Sequence, residues 1–272
     1  MSGLSLNQET IKQWSLPELA KGCVDAGVRG VGLWRAPVQE YGPEAAGQLL
    51  RDAGLTVTSL CRGGFFTASD AGERAAALED NRRALDEAAA VGTDTLVLVS
   101  GGLPEGSRDL HGARERIADA LAELAPYAVE RGVRLAIEPL HPMYASDRCV
   151  VSTLAQALDL AERFPAAAVG VVVDTYHLWW DDTIAAQIAR AGEGGRIAAF
   201  QLADWVTPLP EGVLLGRGQI GDGSVDFRWF RERVEAAGYA GWTEVEIFNP
   251  KLWERDGGEV LREIVERYGT HF

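Results

Sequence analysis

Four oxygen-bearing side chains in the second half of the chain stand directly behind or at the end of apolar runs. Glu138 follows Leu135-Ala136-Ile137 and is locked in place by Pro139, and Asp174 ends Val171-Val172-Val173. Gln201 lies near the end of a third such run and Glu246 near the end of a fourth. A carboxylate in that setting is costly to bury unless it is paired, protonated or bound to a cation. Taken singly, each could cap a helix or complete an ion pair. Brought to one place, three carboxylates and an amide find their natural compensation in a divalent cation. The chain has 4 histidines, His111, His141, His177 and His271, and two of them stand beside these acids. His177 comes three residues after Asp174, and His141 sits between Leu140 and Pro142, just beyond Glu138. An imidazole titrates near neutral pH, so His141 could serve as a separate general base.

These residues need a scaffold that aims distant stretches of chain at one point. Hydrophobic patterning predicts strands over Leu4–Asn7, Gly30–Trp34, Thr56–Cys61, Thr95–Val99, Val133–Ile137, Val169–Val173, Ile197–Leu202 and Trp242–Ile247. Each is followed by a helical pattern. These run over Leu16–Ala26, Pro43–Ala53, Ala71–Val91, within Arg114–Glu130, then Thr153–Arg163, Thr183–Ala191, Phe227–Ala237 and Val260–Arg267. Continuous runs such as Val171-Val172-Val173 suit strands covered on both faces, and strand–helix alternation implies a parallel sheet. Eight units in 272 residues, about 34 each, with no linker between them, predict an α/β fold: one (β/α)8 TIM barrel spanning residues 1–272. A doubly wound open sheet competes, but no strand leads into a G-x-G-x-x-G turn. A barrel places its chemistry at the carboxyl ends of its strands. That is where Asn7, Arg35, Arg62, Glu138, His141, Asp174, His177, Gln201, Asp204 and Glu246 fall.

Composition excludes other classes. Lys and Arg number 26 against 40 Asp and Glu, a net charge of −14 that would repel a phosphate backbone. A nucleic-acid partner is not expected. No run approaches the roughly 20 apolar residues of a membrane span. The opening Met1-Ser2-Gly3-Leu4-Ser5-Leu6-Asn7-Gln8 lacks a cationic start and an apolar signal core. The 3 cysteines, widely spaced, fit buried thiols in a reducing compartment. A cytoplasmic protein with no membrane partner is the expectation.

Several short pieces occur in a telling order: Ile137-Glu138-Pro139, Val173-Asp174-Thr175-Tyr176-His177, Gln201-Leu202-Ala203-Asp204, Gly221-Asp222-Gly223 and Gly241-Trp242-Thr243-Glu244-Val245-Glu246. Together they resemble the xylose isomerase-like TIM-barrel superfamily, in its sugar phosphate isomerase/epimerase branch. That branch includes tagatose 3-epimerase-type enzymes and relatives of apurinic endonucleases. The resemblance covers nearly the whole chain and is strongest from Glu138 onward. It implies metal ligation by Glu138, Asp174, Gln201 and Glu246. It further implies His177 near the metal and against substrate, and Arg217 holding substrate oxygens. The family usually has histidine where this chain has Gln201. A neutral amide oxygen favours one Mn²⁺ ion, with Mg²⁺ or Co²⁺ as alternatives, over Zn²⁺. Glu244 competes with Glu246, since both share strand parity; the family's Gly-Trp-x-x-x-Glu spacing favours Glu246.

The implied chemistry is isomerisation or epimerisation of a sugar or keto-sugar. A cation on a carbonyl and its neighbouring hydroxyl stabilises an enediolate, while Glu138 and Glu246 remove and return the proton. A runner-up uses the same site as a lyase: the large subunit of a C-glycoside deglycosidase-type enzyme. Such an enzyme cleaves 3-keto-glycosides by β-elimination beside a small partner subunit. A non-catalytic metal-binding barrel is a third reading, and homo-oligomers are usual in the resemblance. Arg62 and Arg35 either bind substrate oxygens or neutralise the acidic mouth. Trp34 leads a set of strand-end aromatics, with Phe65, Phe66, Trp179, Trp180, Trp205 and Phe248, that suit the C–H faces of sugars. No P-loop and no Lys/Arg cluster at a helix start points to a phosphate, so a free sugar, glycoside or polyol is expected.

Overall fold

Each apolar run pairs with the next because the helix between them returns the chain to the same end of the sheet. In the computed structural model, which describes residues 3–272, eight parallel strands form a closed barrel in sequence order, the eighth pairing with the first. They span Leu4–Asn7, Gly30–Trp34, Thr56–Gly64, Thr95–Val99, Arg134–Ile137, Val169–Asp174, Ile197–Leu202 and Thr243–Val245. Closure excludes the doubly wound sheet. Met1 and Ser2, which open the N-terminal segment read above, lie outside the described residues.

The helices begin and end where local chemistry directs. Pro43 opens Pro43–Asp52, and Gly54 follows that helix at φ +70°, a conformation glycine adopts without strain. Asp70 caps Ala71–Val91 by accepting the Glu73 N–H.

Two elements depart from the periodicity. The third strand continues past Cys61 to Gly64, with a register shift opposite the fourth strand. Asn81 holds that extension, accepting the Gly64 N–H at 2.7 Å and donating to its carbonyl at 2.9 Å. Arg62 therefore lies within a strand and not behind one. The eighth strand is shorter than expected, ending at Val245. The Glu246 N–H still donates to the Leu202 carbonyl at 3.0 Å and keeps Glu246 at the strand end.

A helix over Arg35–Tyr41 and a two-residue antiparallel pairing of Asp204–Trp205 with Arg217–Gly218 carry no periodic signal, being too short to show one.

Apolar burial divides in two. The larger core lies between strands and helices, while a small inner cluster of Cys61, Val97, Ala136, Val172 and Ala199 fills the barrel itself. Those inner side chains are short, and the space left holds buried polar groups, among them Asn7, Ser59, Gln201 and Glu244. Gly32 is part of that accommodation: a Cβ there would stand 2.5 Å from the Glu244 carboxyl carbon. Among the described residues, no helix is long and apolar enough to cross a membrane. Cys23, Cys61 and Cys149 are all free and buried.

Candidate active site

Glu138, Asp174 and Glu246 meet at the carboxyl end of the barrel, each at least 95% removed from solvent. Asp174 Oδ1 accepts the Tyr176 N–H at 2.7 Å and so caps the short helix Thr175–Leu178. Its Oδ2, together with Glu138 Oε1 and Gln201 Oε1, is buried with no hydrogen-bond partner. Three orphaned oxygens in one buried region are a large unmet cost, since a buried polar group normally finds a partner. Glu138, Asp174 and His177 each offer a donor atom within 4.8 Å of the others. An oxygen-rich set with one imidazole fits a divalent cation. His177 thus stands among the candidate ligands as well as beside substrate space.

Arg217 brings a positive charge into contact with these acids. Its Nη1 lies 2.9 Å from Glu246 Oε2 and 3.6 Å from Asp174 Oδ2, and also donates to the Glu246 carbonyl at 3.1 Å. The rings of Tyr176 and Phe248 lie 4.9 and 4.5 Å from the guanidinium carbon. Burial works against the guanidinium charge, but Glu246, Asp174 and Glu138 outweigh it and push its pKa up. Burial raises the Glu246 pKa to about 7 against the opposing pull of Arg217. Glu138 is pushed well above the usual carboxylate range, first by burial and then by Glu246 and Asp174.

Arg217 reaches this position through the short antiparallel pairing, which Asp204 stabilises. The Asp204 carboxylate accepts the N–H groups of Trp205, Gly221, Gly223 and Val225 at 2.8 to 3.0 Å, anchoring the loop beyond Arg217. Among the strand-end candidates, Asp204 builds the site without facing it.

Gln201 lies in register with Asp174 on one side and Glu244 on the other. Its Nε2 donates to Glu244 Oε1 at 3.0 Å, and that fixes the amide. Asn7, Thr58 and Ser59 also donate to Glu244, at 2.7 to 3.1 Å. Surrounded by donors, the carboxylate acts as an acceptor only and turns the amide oxygen of Gln201 away from itself. Glu244 is therefore satisfied inside the barrel, while Glu246, two residues on, reaches the mouth.

The two histidines differ. His177 is buried; its Nδ1 accepts the His141 N–H at 3.2 Å, and its Nε2 lies 3.3 Å from the donor Arg217 Nη2 and 3.9 Å from Asp174 Oδ2. Burial, then Arg217 and His141, hold the His177 pKa well below its ordinary value, so the ring is neutral. The His141 ring stacks on Trp205 at 4.8 Å, packs edge-on against Trp180 at 5.4 Å, and accepts the Met143 N–H through Nδ1. Its backbone orients His177; its ring does not line the cavity described next.

Glu138, His177, Arg217, Glu246, Arg62 and Trp34 line one cavity of about 140 Å³, together with Cys61, Arg148 and Phe248. Trp34 meets Phe248 edge-on at 5.5 Å, and its indole N–H is held by Asn7 Oδ1 at 3.0 Å. Arg35 is elsewhere. It pairs with Asp80 at 2.8 Å and Glu87 at 2.6 Å on the helix Ala71–Val91, so it neither binds at nor neutralises the mouth. Arg148 carries no strand-end signal. It arrives on the loop after the fifth strand, which folds back so that Gly101 and Cys149 pair and the Gly101 N–H donates to the Arg148 carbonyl. A larger cavity of about 440 Å³ opens at the other end of the barrel, where Thr58, Arg134, Tyr239, Trp242 and Glu244 line it. Its one buried acid is the satisfied Glu244, so volume alone does not mark the chemistry.

The xylose isomerase-like TIM barrel family matches residues 20–265. A crystal structure of a protein from Sinorhizobium meliloti 1021 superposes with a TM-score of 0.96 at 47% identity, over 99% of this chain and 98% of that one. The 3-dehydroshikimate dehydratase of Pseudomonas aeruginosa is 31% identical over 242 residues, 86% of this chain and 36% of that protein. An inosose isomerase of Bacillus licheniformis is 26% identical over 160 residues, 55% of each chain. The chain thus spans between about a third and about half the length of these curated relatives. This chain belongs to the xylose isomerase-like TIM barrel family.

Proposed function

We propose that this member of the xylose isomerase-like TIM barrel family is a divalent-metal-dependent isomerase or epimerase of a keto-sugar or keto-polyol. The observation that carries the reading is the set of orphaned oxygens, Glu138 Oε1, Asp174 Oδ2 and Gln201 Oε1, beside Glu246. Glu138, Asp174, Gln201 and Glu246 would hold the ion, with His177 close by, and Mn²⁺ suits a set in which an amide oxygen replaces an imidazole. A bound ion would supply polarisation of a carbonyl and stabilisation of the enediolate charge.

The protein's own groups do the rest. Glu138 and Glu246 face the same cavity from different strands, so one carboxylate takes the proton from the carbon beside the carbonyl. The other carboxyl returns a proton to the opposite face or to the adjacent carbon. Arg217, fixed by Glu246 and by the Tyr176 and Phe248 rings, holds a substrate oxygen. His177, neutral and buried beside Arg217, borders the same substrate space. Trp34 and Phe248 exclude water and pack on the C–H face of the substrate. His141 is better supported as the group that orients His177 than as a separate base.

A lyase reading has a specific support, the 31% identity to a dehydratase over 86% of this chain. The first proton abstraction is then the same. The second carboxyl instead protonates an oxygen leaving the β-carbon, and a C=C bond forms as water departs.

The test is a panel of cyclic and open-chain keto-polyols incubated with Mn²⁺-loaded protein in D₂O. Deuterium entering recovered or rearranged ketone supports isomerisation, and an unsaturated product supports elimination. Glu246→Gln and Glu138→Gln should each lower the exchange rate by about 10²–10⁴-fold. Full exchange in either variant would sink the acid–base assignment.

A further inference from the structure

We propose that the mouth of this cavity carries an anion subsite, formed by Arg62 and Arg148, so that the substrate is a keto-polyol bearing a carboxylate or phosphate. The inference rests on the reading of the site given above and names the substrate class that the site would take.

Its first support is charge balance. Glu138, Asp174 and Glu246 bring three carboxylates, and Arg217 together with a divalent ion would match them. Arg62 and Arg148 line the same cavity and are left over. Among the described residues Arg62 forms no ion pair; its guanidinium rests over the Phe65 ring at 4.1 Å. Arg148 has only its chain neighbour Asp147, at 3.7 Å and 61% exposed to water. The two arginines also face each other closely enough that Arg148 helps to lower the Arg62 pKa, after the larger effect of burial.

A second support is contrast with the rest of the molecule. Other arginines of comparable burial spend their donors within the fold: Arg35 on Asp80 and Glu87, Arg217 on Glu246, Arg196 on the carbonyls of Ala161, Val169 and Phe164, and Arg116 on the Thr67 carbonyl. Arg62 and Arg148 make no side-chain hydrogen bond among the described residues, and both line one small cavity, in a chain of net charge −14 where acidic partners are abundant. Guanidinium presents a planar fork of N–H donors that matches a carboxylate or phosphate, and a half-buried pair holds that anion more strongly than an exposed one. No Lys/Arg cluster stands at a helix start in the sequence. The cluster is instead assembled in space, from the third strand and from the loop after the fifth.

Calorimetric titration of the Mn²⁺-loaded protein with three ring-matched probes tests this: quinate, myo-inositol 1-phosphate and neutral myo-inositol. At least one anionic ring should bind about tenfold or more tightly than the neutral one, the scale of a charge-assisted hydrogen bond. Quinate ahead of the phosphate ester identifies a carboxylate substrate, and the reverse order a phosphorylated one; both support the subsite. Arg148→Gln should remove most of the preference while leaving myo-inositol binding unchanged, and Arg62→Gln should weaken the anions by a larger factor than myo-inositol. Arg148 is partly exposed, so its variant should fold, and unchanged thermal unfolding checks this. Equal affinity for all three rings, no binding of either anion, or equal loss of charged and neutral ligands in the variants would overturn the proposal. Anion preference without proton exchange on any ketone would sink the reaction reading alone. Exchange confined to neutral ketones would sink the subsite alone.

Discussion

Glu244 and Glu246 stand two residues apart at one strand end, are both buried, and play opposite parts. Glu244 accepts from Asn7, Thr58, Ser59 and Gln201 inside the barrel. Glu246 faces the mouth, with Arg217 on one oxygen and the Cys61 thiol 4.0 Å from the other. The larger cavity lies at the Glu244 end and the smaller at the Glu246 end. The difference shows that burial of an acid does not distinguish scaffold from chemistry; whether its surroundings are satisfied does. Around Glu244 the donors are supplied by the fold. At the mouth, Glu138, Asp174 and Gln201 keep oxygens that the fold leaves without partners.

The contrast can be broken most forcefully by removing each acid in turn. Glu244→Ala leaves four donor side chains without an acceptor in the barrel and should cost about 3–5 kcal/mol of stability, read by urea unfolding. Glu138→Gln should stay within about 1 kcal/mol of wild type, since burial already disfavours its charge and Arg217 keeps Glu246 and Asp174 as partners. Equal losses in the two variants would erase the distinction.

Metal addition sharpens the same comparison. Mn²⁺ at about a hundred times its Kd should stabilise the protein by about 2.7 kcal/mol, seen as a rise in Tm. Asp174→Asn should abolish that rise. The pH dependence has a definite sign. Protons on Glu138 and Glu246 compete with the ion, and burial raises the Glu246 pKa to about 7. Affinity should therefore increase as pH rises through that value, and binding should release protons. A pH-independent Kd would contradict the ligand set.

The smallest expected effect tests the residue that joins the two ends. Gln201→His would exchange an amide oxygen for imidazole and should move the preference from Mn²⁺ toward Zn²⁺ by on the order of tenfold, measured by competitive equilibrium dialysis.

Much of this architecture was legible in the order of residues. Val171-Val172-Val173 and Leu135-Ala136-Ile137 are apolar on consecutive positions because both faces of a barrel strand are covered, and the helices between them carry amphipathic patterning. The acids behind those runs stood out because their setting is costly. Residues whose role depends on partners elsewhere were not legible. Arg35 and Arg62 both stand behind apolar runs in the sequence, yet the first is held by Asp80 and Glu87 and the second lies within the extended third strand and enters the cavity. Arg148 gave no signal, since only the return of its loop onto Gly101 brings it to the mouth.

The sequence alone determined the eight strand–helix repeats and the strand-end positions of Glu138, Asp174, Gln201 and Glu246, because periodicity and desolvation act locally along a chain. Only the tertiary structure decided which of two same-parity glutamates is satisfied, which way the Gln201 amide turns, and which arginines are left without a partner. Those outcomes depend on donors and charges contributed by distant strands, and such matches exist only once the barrel has closed.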